Sequence, residues 1–222
     1  MARNGGGGDN TADQVHEQIR DGILSGEYRP NQRLVEEELA RNLQVSRTPV
    51  REALLRLQQQ GLVHRDRGWQ VRDHGPEEIL EFLEARAEVE SSAARLAASR
   101  ISRDEVTRLE ELIVSMERET NRRLINALND EFHSVITQAA RNHVLADLAR
   151  ATRINYWNFA SPILFTQAQD EVVNSEHRQL AVALAGGDAD LAASIARAHV
   201  SHTADIIAEA LGLERRHKVL RK

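Results

Sequence analysis

Three sets of residues in this 222-residue chain could do chemistry. The first sits in the stretch VSRTPVREALLRL, where Arg47, Thr48 and Arg51 stand at the mouth of a helix whose other face is apolar. Such arginines are either a solvated helix end or groups placed to touch something anionic, and a guanidinium fork suits phosphate or the O6 and N7 of guanine. The second set is Asn129, His133, His177 and His199. Asn129 and His133 lie four apart and share one helix face, and His177 and His199 come from the two last long helical patterns. Imidazoles converging from three helices are either satisfied core histidines or ligands for a divalent cation. The third is Arg86, whose helical phase is shared with Ile79, Phe82, Leu83, Val89 and Ala93. A guanidinium in an apolar stripe is costly unless paired. Glu90, four residues on, would make it a structural salt bridge; the alternative is an anchor for the carboxylate of an organic acid.

Composition limits the scaffolds that can carry these groups. Hydrophobic residues make up 41% of the chain, enough for real cores, whereas aromatic residues at 4% point away from β-rich folds. There is no cysteine, which excludes disulfides and thiolate metal sites. No apolar run reaches membrane-spanning length and no signal-peptide pattern opens the chain, so the expectation is a soluble, cytoplasmic protein. Net charge is −5, mildly against wholesale nucleic-acid binding. Yet residues 41–72 hold Arg41, Arg47, Arg51, Arg56, Arg65, Arg67 and Arg72 against only Glu52 and Asp66. A basic segment on an otherwise acid-rich chain indicates division of labour.

The elements that must position these residues fall into two groups. Residues 1–10, rich in glycine, read as a disordered tail. Thr11 and Gln14 have capping-box spacing, and Val15, Ile19 and Ile23 follow at helical intervals up to Gly26. GEYRPNQRL reads as a turn. A second helix turns Leu39 and Leu43 inward behind Glu36, Glu37 and Glu38. The third, capped by Ser46, buries Val50, Leu54 and Leu57 and stops at Gly61. LVHRDRGWQV then reads as a hairpin. Two helices joined by a short turn, preceded by another helix and followed by a hairpin, make a winged helix-turn-helix over residues 11–73. Asp73, His74 and Gly75 form the link. From residue 76 the pattern is helical throughout, with helices expected over 76–100, 103–120, 122–140, 144–159, 170–185 and 189–211. That is an all-α antiparallel bundle spanning 76–213, followed by a flexible tail, 214–222. The fold class is therefore mainly α.

Assembled in this way, the sequence resembles the GntR family of bacterial transcriptional regulators. The N-terminal part carries L-x-E-x-x-L-A (Leu34, Glu36, Leu39, Ala40), then VSRTPVREAL, then GLV and RGWQV. The helical part resembles the FCD effector domain of the FadR-type branch, with EARAEVE, LNDEFH, RNHVL, EHRQL, GGDAD and RAHV in order.

The resemblance implies a ligand-responsive regulator, a repressor by expectation, that binds a palindromic double-stranded operator as a homodimer. Arg47, Thr48 and Arg51 would then meet base edges and phosphates, Arg33 would touch the backbone, and the wing tip at Arg67 and Gly68 would follow the minor groove, with His64 a weaker contributor. Glu37 departs from the family, many of whose members have a DNA-contacting arginine there. The resemblance likewise makes Asn129, His133, His177 and His199 ligands of a divalent metal, Zn²⁺, Ni²⁺ or Mn²⁺, leaving positions open for water or an effector carboxylate. Asn129 replaces the aspartate of other members, and a neutral amide oxygen implies weaker binding. Arg86 would hold a small organic acid effector. His202, one turn beyond His199, is a competing or outer group; Tyr156, Trp157 and Asn158 would line the cavity, the core or a dimer interface. His143 is local to a helix start, and His16, His74 and His217 belong to no constellation. The runner-up function is a metal-dependent hydrolase using the histidine cluster to activate water.

Overall fold

The computed structural model describes residues 8–152 and 165–213. Residues 1–7, the end of the helix expected over 144–159 with Tyr156, Trp157 and Asn158, and the tail 214–222 with His217 lie outside the described residues. The chain divides after His74 into two compact units.

The first unit contains α1 (Gly8–Ser25), β1 (Arg33–Leu34), α2 (Glu36–Asn42), α3 (Arg47–Gln59), β2 (Val63–Arg65) and β3 (Trp69–Val71). Helix α1 begins three residues before the expected start, so Thr11 lies inside it and the Thr11–Gln14 spacing is not a cap. Its inward residues Val15, Ile19 and Ile23 join Leu39, Val50, Ala53, Leu54 and Leu57 in one core. Gly26 and Gly61, at φ of 82° and 73°, supply the left-handed conformation that lets the chain leave α1 and α3. The three strands are antiparallel in the order β1-β3-β2, with Leu34 opposite Trp69 and Val63 opposite Val71. These four side chains are buried, closing the helical core from the sheet side. Sequence reasoning anticipated the hairpin but read Arg33 and Leu34 as turn; two residues are too few for a period-two pattern to register.

The second unit contains α4 (Pro76–Ala97), α5 (Arg103–Arg118), α6 (Arg122–Ala139), α7 (His143–Ala151), α8 (Gln167–Ala185) and α9 (Ala189–Ala210). Helix α4 runs along α9, with α5 packed on α6 and α8. Alanines let α4 and α9 come close: Ala93, Ala94 and Ala97 from one and Ala192 and Ala196 from the other share the core. Ser91 Oγ donates across that seam to the Ala193 carbonyl at 2.9 Å. Local chemistry fixes the helix starts. Ser102 with Glu105 and Thr166 with Gln169 form capping boxes, and Asn121, Asn142 and Asp188 cap with their side-chain oxygens. The Thr166 box starts α8 at Gln167, three residues before the expected boundary.

Candidate nucleic-acid interface and metal centre

Arg47 is the first residue of α3. Helix N-termini favour negative charge, because their amides are unpaired and the helix dipole is positive there. The first turn of α3 has no acidic residue, and the Ser46 side chain makes no capping hydrogen bond. Arginine at that position is therefore poor helix chemistry and good anion-binding chemistry. Arg47, Thr48 and Arg51 are all exposed, while Val50, Ala53, Leu54 and Leu57 on the opposite side are buried.

Arg33, on β1, extends this cationic face. It is exposed, and its Nη2 donates to the Arg67 carbonyl at the wing tip at 3.1 Å. Gly68 has φ 135°, open to glycine almost alone, and an added Cβ would stand 3.2 Å from Arg33 Nε. Arg33 and Gly68 thus hold the β2–β3 turn in shape and leave the Arg67 side chain exposed. Below the tip, the Arg65 guanidinium lies 5.2 Å from the centre of the Trp69 ring. Trp69 Nε1 donates to Glu36 Oε1 at 2.9 Å, and the other Glu36 oxygen accepts from Arg47 at 3.3 Å. The Trp69 hydrogen bond and then the Arg47 and Arg51 charges hold the Glu36 carboxyl below its ordinary range. His64 is half-buried on β2, opposite Gln70. Arg56, counted among the basic residues, is taken up by Asp13.

In the second unit, His133 from α6, His177 from α8 and His199 from α9 come together. One ring nitrogen from each lies within 4.8 Å of the others. The His133 and His177 rings are 5.5 Å apart, His133 and His199 5.1 Å, and His177 and His199 4.5 Å. All three are buried. Burial pushes His133 down to about 4 against the pull of Glu90, and burial followed by the neighbouring His199 and His133 takes His177 well below its ordinary value. Both are therefore neutral at pH 7, the form that ligates metals.

Two carboxylates face these rings from behind. Glu176 Oε2 lies 2.9 Å from His199 Nδ1, and its Oε1 lies 2.9 Å from His202 Nδ1. Glu90 Oε2 lies 2.7 Å from His133 Nδ1, and Glu90 Oε1 accepts from Arg86 Nε at 2.6 Å. A carboxylate behind Nδ1 turns Nε2 toward the cluster. Glu90 engages His133 Nδ1 at 2.7 Å, whereas His133 Nε2 and both nitrogens of His177 are buried without a hydrogen-bond partner. Leaving a buried polar group unsatisfied costs about 1–3 kcal/mol each. Each neutral ring carries one lone pair, so a metal ion would relieve one nitrogen on each ring and leave the other as N–H; the donor set fits a divalent cation. Three imidazoles suit Zn²⁺ and other borderline metals without choosing among them.

The remaining expected site residues are placed as follows. Asn129 is half-buried on α6, one turn before His133. Arg86 is buried and paired with Glu90, and the rest of the chain Arg86–Glu90–His133 links it to the histidines. Burial raises the Glu90 carboxyl, but Arg86 and His133 outweigh it and keep it well below the usual carboxylate range. Sequence reasoning offered Glu90 only as a partner for Arg86 and missed Glu176 altogether. The sequence shows only that Glu176 precedes His177; that it faces His199 and His202, one turn apart on α9, is a tertiary fact.

Comparison with known proteins bears on both units. The family model for bacterial regulatory proteins of the gntR family matches residues 11–71, and that for the FCD domain matches residues 81–202. The Uxu operon transcriptional regulator of Escherichia coli K12 is 30% identical over 206 residues, covering 79% of this chain and 78% of the relative. A probable D-xylose utilization operon transcriptional repressor from Paenarthrobacter nicotinovorans is 29% identical, covering 86% and 85%. Among solved structures, E. coli McbR/YncC superposes with a TM-score of 0.75 over 90% of this chain and 98% of its own, at 22% identity.

Proposed function

The chain belongs to the gntR family of bacterial regulatory proteins and carries an FCD domain, and from that premise we propose that it is a repressor that binds a palindromic operator as a homodimer under control of a metal-bound small carboxylate. What supports this most is the pairing, in one chain, of exposed arginines at a helix start with buried imidazole nitrogens that lack partners. The first set is open to a polyanion, with Arg47 held meanwhile by the Glu36 and Glu37 carboxylates, and the second is open to a cation.

At the DNA, Arg47 and Arg51 present guanidinium forks to base edges and phosphates from the start of α3, and Thr48 adds a hydroxyl. Arg33 and the tip at Arg67 and Gly68 bring the wing against the backbone, with His64 behind them. In the helical unit His133, His177 and His199, with Asn129 as oxygen donor, hold the cation. The ion supplies a fixed positive charge to an effector carboxylate. Arg86 would reach that carboxylate while keeping its pairing with Glu90, and the added buried negative charge would be offset by the cation. An effector alters operator affinity only to the extent that it binds one arrangement of the regulator better than the other. A relative named as a repressor of a sugar-utilization operon favours repression of a catabolic operon.

The test is a fluorescence titration of duplexes from the region upstream of the protein's own gene, at several salt concentrations. It is run with metal, with chelator, and with a panel of small carboxylates. Steep salt dependence and a carboxylate that shifts affinity only with metal present are the expected results. Binding indifferent to metal and to every carboxylate would remove the sensing half of the reading. Absence of binding to any duplex would remove all of it. Metal-dependent hydrolysis of ester or amide substrates by the same preparation would point instead to the hydrolase alternative.

A further inference from the structure

Arg47 is not displayed freely. Its Nη1 lies 2.8 Å from Glu37 Oε1, and its Nη2 lies 3.3 Å from Glu36 Oε2. The two carboxylates differ in kind. The Glu36 side chain is 15% exposed and anchored through its other oxygen to Trp69 of the wing, whereas the Glu37 side chain is 53% exposed. Glu36 is therefore part of the framework that ties the wing to α3. Glu37 makes only an exposed ion pair, worth little to stability. Two acids around one arginine leave a local charge of −1 beside groups offered to a polyanion.

We propose that Glu37 is a specificity-determining residue, an intramolecular stand-in for phosphate that occupies Arg47 until the right base step displaces it. This inference rests on the DNA-binding reading above. On arbitrary DNA, a backbone phosphate gains Arg47 only by breaking its contact with Glu37, and the released carboxylate then faces the phosphates with like charge. The gain nearly cancels. On the cognate sequence, the same displacement yields a bidentate contact to guanine O6 and N7 that a wrong base step cannot offer, so Arg47 leaves Glu37 there by preference. Glu37 thereby lowers non-specific affinity more than specific affinity and widens the ratio between them, the quantity that matters among many competing sites. It is negative discrimination by a built-in competitor.

The experiment compares wild type, Glu37→Gln, Arg47→Ala and the double variant on two duplexes of equal length. One is recovered from a random pool by the wild-type protein and the other is its scrambled counterpart. Glutamine keeps the shape and removes the charge. Releasing one phosphate contact changes the salt slope by about 0.9 and the affinity near physiological salt by about fivefold. Glu37→Gln should therefore bind the scrambled duplex about fivefold tighter with a steeper salt slope, bind the selected duplex with a smaller gain, and so lose selectivity. In the Arg47→Ala background only the like-charge repulsion of Glu37, equal on both duplexes, is left to remove, so the difference in gain between the two duplexes should disappear. Equal gains on both duplexes with Arg47 present, or an unequal gain that persists without it, would overturn the tether. So would unchanged affinity on the scrambled duplex. If the wild type selects no sequence and binds neither duplex, the DNA-binding reading fails and this inference with it; if the wild type binds and Glu37→Gln does not differ, only the inference fails.

Discussion

The arginine face and the histidine centre are built from opposite materials. In the first unit Arg33, Arg47, Thr48, Arg51 and Arg67 are exposed, on a helix, strand or turn whose buried side is complete without them. Removing one leaves the core intact. In the second, the functional groups are themselves core: His133 and His177 rank among the largest fully buried side chains, and Phe132 lies 4.5 Å from His177. Their polar atoms burden the fold unless something binds them. A surface site is thus separable from stability, whereas a buried site trades stability against occupancy.

The strongest way to break that contrast is His177→Leu. It removes a proposed ligand, so the thermal stabilisation by added Zn²⁺ or Ni²⁺, about 2.7 kcal/mol at a hundredfold excess over Kd, should vanish. It also removes two buried nitrogens that lack a hydrogen-bond partner. The metal-free variant should therefore be more stable than metal-free wild type by about 1–3 kcal/mol in chelator. A metal-free variant less stable than wild type would mean that His177 is a satisfied core histidine and the centre no metal site.

Acid titration of the metal-free protein comes next. The folded-state pKa of His133 is about 4, below the ordinary value near 6.5. Between these values the unfolded chain binds a proton that the native state refuses. Stability is full above about pH 6.5 and is lost as pH falls through about 4, by up to about 3 kcal/mol from this group. His177 and Glu90, both depressed, push the same way. Urea titrations at pH 7 and pH 4.5 should record the loss, and saturating metal should move it to lower pH. On the arginine face the depressed Glu36 carboxyl works in the same direction, but only as pH falls below the ordinary carboxyl value near 4.5.

The two regions also differ in how far the sequence reveals them. Helix phase alone placed Val50, Leu54 and Leu57 inside and Arg47, Thr48 and Arg51 outside, because an exposed site is the complement of a periodic core. The histidine trio was legible only through the contexts LNDEFH, EHRQL and RAHV, since convergence of α6, α8 and α9 is a tertiary fact that spacing within one helix does not carry. Glu176 stayed hidden for the same reason: its meaning lies in facing two α9 histidines across a helix pair. The tie from Trp69 through Glu36 to Arg47 joins three elements and has no sequence period at all. The capping boxes at Ser102 and Thr166 are local S-x-x-E and T-x-x-Q spacings that went unread, while the one spacing that was read as a cap, Thr11–Gln14, lies inside α1.

Glu176→Gln sharpens the contrast at intermediate size. Losing the carboxylate that orients His199 should weaken metal binding by roughly 10–100-fold while leaving the three ligands in place. Competition with a chromophoric chelator measures it, and an unchanged affinity would show that Glu176 serves His202 rather than the centre. On the other side, Arg51→Ala should cost roughly 1–3 kcal/mol of operator binding and flatten sequence preference, with no change in thermal stability beyond about 0.5 kcal/mol. A large stability loss there would erase the distinction between the two kinds of site.

The smallest expected effect tests whether the surface site has any architecture of its own. Arg33→Lys keeps the charge but loses the planar donor that reaches the Arg67 carbonyl and lies against Gly68. If Arg33 were only a counter-charge for phosphate, lysine would serve as well, and both affinity and salt slope would stay put. Because it also shapes the wing, affinity should fall by about 0.5–1 kcal/mol, a two- to fivefold change, the scale of one exposed hydrogen bond. The salt slope should remain the same, since the number of neutralised phosphates does not change. Gly68→Ala then provides the matched case from the backbone side: its Cβ would crowd the same guanidinium in a conformation alanine rarely adopts. Agreement between the two variants would assign the loss to wing geometry, and a fall in salt slope with Arg33→Lys would assign it to charge.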